Sequence, residues 1–163
     1  MSDKEPMTPQ GYAKISQELE QLVSVERGKA AQDIQTAAQL GDLKENAEYH
    51  AAKEKLSHLE RRIALLEDFV AKAQVIDPAA LPHKRVSFGS TVTLLDLETD
   101  KEVTYTIVGS VESDASRGLI SFGAPLARAL IGKEVGADVV ADLPNGIKEF
   151  ELIAVGYKEI PLG

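Results

Sequence analysis

Between residues 49 and 73 the apolar positions Tyr49, Ala52, Leu56, Leu59, Ile63, Leu66, Val70 and Ala73 alternate three and four apart without a break. A repeat averaging 3.5 residues holds one narrow stripe along a helix. It predicts a coiled-coil seam rather than the wide apolar face of a globular helix. An earlier segment opens at Thr8, read as an N-cap, with Pro9 at the first helical position. Its stripe runs Tyr12, Ile15, Leu19 and Leu22, then slips by one residue to Val23, Arg27, Ala30, Ile34 and Ala37. Such a slip resembles a stutter, which alters the supercoil locally. Each helix is expected to span roughly 30 residues, or ~45 Å at 1.5 Å per residue. The connection around Gly41 is short enough to force an antiparallel return. Residues 1–78 therefore predict a two-helix coiled-coil finger with a tight tip.

After Asp77 the pattern changes to short apolar runs rich in Val, Thr and Ile between turn residues. The stretch Asp77-Pro78-Ala79-Ala80-Leu81-Pro82 reads as the linker, because a residue before proline avoids the helical region. Strands are expected at 86–88, 91–95, 103–108, 119–122, 138–142 and 149–155. Pro144-Asn145-Gly146 marks a hairpin between the last two. Residues 124–131 read as a short helix stopped by Gly132. The fold class is α+β: the finger, then a small domain at 79–163 of antiparallel sheet with a short helix.

Composition narrows the chemistry. Among the 163 residues, 18 Lys and Arg face 26 Asp and Glu, a net charge of −8 that argues against gripping bare nucleic acid over a broad surface. There is no cysteine, which excludes thiolate catalysis and Cys-ligated metal centres. His50, His58 and His83 are too scattered for a local metal motif, and His50 reads as a solvated helix residue. No apolar run approaches the ~20 residues of a membrane span, and the first residues lack a secretory pattern. The expectation is a soluble cytoplasmic protein with no membrane partner.

The chemistry concentrates at the turn Gly41-Asp42-Leu43-Lys44-Glu45-Asn46-Ala47-Glu48-Tyr49. Asp42 and Glu45 are three apart and share a face if helical. One reading makes them a capping box, Asp42 capping the second helix and Glu45 reaching back to its amide; the local pattern alone favours it. The other makes them a movable pair of hard oxygen ligands suited to Mg²⁺, which keeps several waters and takes one or two carboxylates. An exposed Leu43 at the apex has little to pack on unless the tip inserts into something. Glu48 reads as a helix-face ion-pair residue, Asn46 as a bond to the turn backbone, and Tyr49 as the head of the seam.

The run from Gly41 to Lys53 closely resembles the tip signature of the bacterial transcript cleavage factors of the Gre family. The likeness continues through Ala73-Gln74-Val75-Ile76-Asp77-Pro78, Phe88-Gly89-Ser90-Thr91-Val92-Thr93-Leu94 and Ala127-Arg128-Ala129-Leu130-Ile131-Gly132-Lys133, in order along essentially the whole chain. The resemblance implies that the finger enters the secondary channel of backtracked bacterial RNA polymerase. There Asp42 and Glu45 would be catalytic, helping to hold a second Mg²⁺ shared with the polymerase, with no cofactor bound by the chain alone. The nascent RNA is hydrolysed near its 3′ end in the polymerase's own site, so the chain is an accessory factor and not an autonomous enzyme.

The resemblance further implies that Leu43, Lys44, Asn46 and Tyr49 position the tip. It gives Lys53, Lys55, Arg61 and Arg62 as an RNA-facing basic patch, against the plain reading of a solvated helix face. It gives an FKBP-like C-terminal domain that grips the polymerase at the channel rim through Phe122, Gly123, Ala124 and Pro125. No prolyl isomerase activity is carried over, since four Tyr and four Phe supply few aromatics for a proline pocket. The expected state is a monomer. The chain departs from the family pattern at Ala38, where a basic residue is usual, at Gly28, where a proline is common, and at Ala124, where a serine is usual. The first departure favours short-fragment cleavage over the longer-fragment activity of the more basic branch.

Overall fold

The computed structural model describes residues 4–42 and 45–160. The first helix starts where the sequence places it. The Thr8 hydroxyl accepts the Gly11 N–H at 3.0 Å and caps α1, Pro9–Gln21. A π turn, Leu22–Glu26, joins it to α2, Arg27–Ala38, and helical dihedrals continue through both junctions. The returning helix is α3, Ala47–Lys72. The residues of Ala13–Lys72 form one compact unit.

The seam of α3 matches its periodicity. From 49 to 66 every seam position is buried or half-buried and every residue between is exposed, with Ile63 and Leu66 buried deepest. On the opposing helix the expected seam position Val23 is corrected: it is exposed, and Leu22 and Glu26 are the less exposed positions there. The Arg27 N–H reaches the Leu22 carbonyl, a bond five residues back. The surplus residue is taken up in one wide turn instead of being spread along the supercoil. Beyond it Ala30, Ile34 and Ala37 return to the seam.

The residues on either side of the hairpin form a second compact unit. Two short strands that periodicity did not foresee, β1 at Glu5–Met7 and β2 at Ala73–Val75, pair in parallel. Ala73, the last expected seam residue, thus opens a strand. The main sheet has the order β5-β4-β3-β7-β6, with β3 Thr91–Asp96, β4 Lys101–Val108, β5 Leu119–Ser121, β6 Asp138–Leu143 and β7 Gly146–Gly156. Its pairings are antiparallel except β4–β5, which is parallel. The short α4, Pro125–Leu130, packs Leu126, Ala127 and Leu130 against Val92, Leu94, Ile107, Val139 and Leu152. The β6–β7 hairpin turns at Pro144-Asn145, and its positive φ of 122° falls on Gly146.

The expected strand at 86–88 does not form. Val86 instead exchanges backbone bonds with Lys133 and Gly132 at 2.9 and 2.8 Å. Gly89, at φ 83°, then turns against Pro78, where a Cβ would collide. His83 is buried beside this turn, its ring nitrogens 2.6 Å from the Ser90 hydroxyl and 2.5 Å from the Pro78 carbonyl. The local bonds hold these residues in a turn and leave no ladder to join.

The start of α1 is anchored by a buried carboxylate. Glu112 accepts the Thr8 N–H, the Thr8 hydroxyl and the Gly109 N–H. A negative charge there also complements the positive end of the helix. Gly11 lies directly over this carboxylate, so a Cβ at 11 would collide with it. Gly28, by contrast, sits in the helix with open space around it. One substitution is therefore expected to act with opposite signs. Gly28→Ala raises stability by about 0.5–1 kcal/mol. Gly11→Ala lowers it by about 1–3 kcal/mol, because the carboxylate must leave its donors. Urea unfolding of the two variants checks both signs.

Candidate functional site

At the end of α2 the N–H groups of Gln39 and Leu40 fold back onto the carbonyls of Thr36 and Ala37 at 3.2 and 3.1 Å. Gly41, at φ 140°, then takes the chain through a conformation that side chains resist. Asn46 starts the return. Its Oδ1 accepts the Tyr49 N–H at 3.0 Å, three residues on, which makes it the N-cap of α3. Its Nδ2 donates to the Ala37 carbonyl at 2.6 Å, one of the last carbonyls of α2.

The capping role read for Asp42 and Glu45 therefore belongs to Asn46, because α3 begins at Ala47 and not directly after Asp42. Both acids are exposed. With Glu48 on the first turn of α3 they border one open concavity of about 390 Å³. Leu43 and Lys44 lie outside the described residues. Among the described residues no three or more His, Asp or Glu side chains are grouped to hold a metal ion. The tip presents carboxylate oxygens, a donor type that suits Mg²⁺. Tyr49 is half-buried at the head of the seam. The Lys53 ammonium lies 5.3 Å from its ring centre, and His50 meets it edge-on at 5.6 Å.

The four basic residues of α3 do not make one patch. Seven residues apart, Lys55 and Arg62 lie on one side, while Lys53 and Arg61 lie on the other, ~80° from each other. Arg61 contacts the His58 ring and the Ser57 carbonyl. Arg62 is taken by Glu18 through two bonds of 2.8 and 2.9 Å. A second two-bond pair joins Arg27 to Glu60, both at 3.0 Å. Each fork ties the outgoing helix to α3. Sequence reasoning missed these pairs, although Glu18, Glu60 and Arg62 each stand beside a seam residue, where coiled coils place such contacts. The guanidinium holds the Glu18 carboxyl below its ordinary 4.5, chiefly through the hydrogen bonds.

In the second unit Phe122 packs edge-on to Phe88, ring centres 6.1 Å apart. Gly123 and Ala124 border a cavity of about 600 Å³, with Lys4, Glu5, Ser110 and Arg128 around it. Ala124 is the N-cap of α4 and Pro125 its first residue, but alanine contributes no capping bond.

Residues 5–75 match the family described as "Transcription elongation factor, N-terminal", and residues 81–157 match "Transcription elongation factor, GreA/GreB, C-term". The protein named transcription elongation factor GreA from Helicobacter pylori is 58% identical over 97% of this chain and 96% of its own. The chain belongs to the GreA/GreB family of transcription elongation factors. GreA of Nautilia profundicola is 55% identical, over 96% of this chain and 97% of its own. GreA of Aliarcobacter butzleri is 56% identical, over 98% of this chain and 99% of its own. A solved structure of GreA factor homolog 1 (Gfh1) from Thermus thermophilus is 26% identical, covering 94% of this chain and 99% of that one, at a TM-score of 0.44. Among the described residues no helix is long and apolar enough to cross a membrane.

Two measurements test this local physics. Because the Glu18 pKa is lowered on folding, its contribution is present above the unfolded value and fades as pH falls through the folded one. Glu18→Gln should therefore cost up to about 1 kcal/mol at neutral pH. The gap in melting temperature from the parent should close on acidification below 4.5. Ala124→Ser should stabilise the second unit by about 0.5–2 kcal/mol through the missing cap, read by chemical denaturation.

Proposed function

We propose that this chain rescues arrested transcription by stimulating RNA polymerase to hydrolyse the 3′ end of its own backtracked transcript. The hairpin carries Asp42 and Glu45 through the secondary channel to the polymerase active site. The observation that carries this reading is the division of labour at the tip: Asn46 takes the helix cap, and both acids stand exposed beyond the seam. Family membership supports transcription elongation as the process.

Asp42 and Glu45 act as ligands and orienting groups. Their carboxylate oxygens would hold Mg²⁺ together with the polymerase's own ligands and would orient a water. Mg²⁺ bound there would supply positive charge to the negative charge that develops during hydrolysis. Two carboxylates do not hold that ion alone, so the chain acts as an accessory factor; it works in the cytoplasm and as a single copy. Lys53, Lys55 and Arg61 steer the extruded RNA, and Arg62 contributes by holding the hairpin through Glu18. The loop at Phe122, Gly123, Ala124 and Pro125 seats the C-terminal unit on the polymerase rim. With Ala38 before the tip, RNA contact is weaker and short fragments are the product.

The test is cleavage of a stalled, backtracked complex by the parent chain and by Asp42→Ala/Glu45→Ala. The double variant should lose ~10²-fold or more in cleavage rate, the scale on which removing a charge-stabilising group acts at a reacting centre. Its polymerase binding, measured by competition, should be unchanged. Full cleavage by a variant that binds equally would overturn the reading.

A further inference from the structure

We infer that Asn46 acts at the tip as a two-ended joint between the outgoing and returning helices, and that the position demands a side-chain amide and not merely a good helix cap. Ser, Thr and Asp cap helices about as well as Asn. A hydroxyl also accepts and donates, but from one atom close to the backbone; the amide accepts and donates from two separate atoms at the end of a longer side chain, and Asn46 uses both ends. Its oxygen fixes the first turn of α3 through the Tyr49 N–H. Its nitrogen binds the Ala37 carbonyl, nine residues back on α2. One rigid group of three heavy atoms thus closes the loop between the two helices, and Asp42 and Glu45 lie inside that loop. The bond to Ala37 is short, at 2.6 Å, and the side chain is half-buried. Ala37 itself is buried in the seam, so the tip is tied to the best-packed row of the hairpin.

The consequence for the reaction is geometric. Ordering an exposed carboxylate costs conformational entropy each time it engages. Asn46 removes part of that cost before engagement, which is how a group that never touches the RNA raises a rate. An aspartate keeps the cap but replaces the donor with a negative charge facing a carbonyl oxygen. Serine keeps the cap and loses the reach.

This inference rests on the proposed role of Asp42 and Glu45, and the experiment separates the two. Asn46→Ser and Asn46→Asp are made in the full chain, beside Asp42→Ala/Glu45→Ala. Proton exchange is followed by nitrogen-15 NMR. The exposed Asn145 is the chain's other asparagine and serves as internal reference. In the parent, the Asn46 side-chain amide should exchange about tenfold or more slowly than that of Asn145. In Asn46→Ser the Tyr49 N–H should stay protected within about twofold, because the cap survives.

With cleavage at saturating factor, both Asn46 variants should fall about tenfold, at an unchanged half-saturating concentration. On the Asp42→Ala/Glu45→Ala background, Asn46→Ser should have no further effect. Equal exchange of the two asparagine side chains would overturn the inference. So would full cleavage by Asn46→Ser while the double-acid variant is inactive. Full cleavage by the double-acid variant would instead overturn the role of the acids themselves.

Discussion

An α-helix turns every 3.6 residues, whereas the apolar stripe of this hairpin repeats every 3.5, and a stripe that drifts by ~20° per heptad leaves its partner within a few turns. The hairpin depends on managing that mismatch. On α3 the stripe is kept strictly, from Tyr49 to Val70. On the outgoing helix the same stripe carries one residue too many, and the π turn at Leu22–Glu26 absorbs it. With the surplus confined to one turn, Ala30, Ile34 and Ala37 return to the seam and the chain reaches the tip in register. The forks Glu18–Arg62 and Arg27–Glu60 stand on either side of this turn and hold the two helices against sliding. Each fork is half-exposed and individually worth little; their value lies in fixing which residues face each other.

The ends of the helical segments share a second economy. Thr8 at the start of α1 and Asn46 at the start of α3 are both caps, and each has a further bond. Thr8 also donates to the buried Glu112, and Asn46 also donates to Ala37. Capping groups with spare hydrogen-bonding capacity serve as joints, locking a helix start to whatever lies beside it. At the tip the cap of α3 is Asn46, while Asp42 and Glu45 stand exposed.

Much of this was legible in the residues, and the exceptions have physical causes. The α3 seam, the Thr8 cap, the short helix after Ala124 and the last hairpin follow from local patterns that tertiary contacts reinforce. The segment at 86–88 has strand composition, but the Gly89 turn and the buried His83 divert its backbone bonds. The pairing of β1 with β2 left no periodic trace, because three-residue strands are too short to show alternation. At the tip the acids, the glycine and the asparagine were all visible. Which of them capped the helix was not, since Asp42 and Asn46 are equally good caps and the helix start alone separates them. The basic residues of α3 read as one cluster along the sequence, yet helical geometry spreads them around the rod.

The π turn also bears on how the length of this chain varies among relatives. A wide turn holds one residue more than an α-helix of the same span. Loss of a single residue from the exposed stretch Val23-Ser24-Val25 would let the rod close into unbroken α-helix. The stripe Leu22, Ala30, Ile34 and Ala37 would then fall into plain heptads. Gain or loss of two residues has no such refuge and would turn α2 away from its partner. Single-residue gaps in alignments should therefore gather at this turn, while the count from Arg27 to the tip acids stays constant.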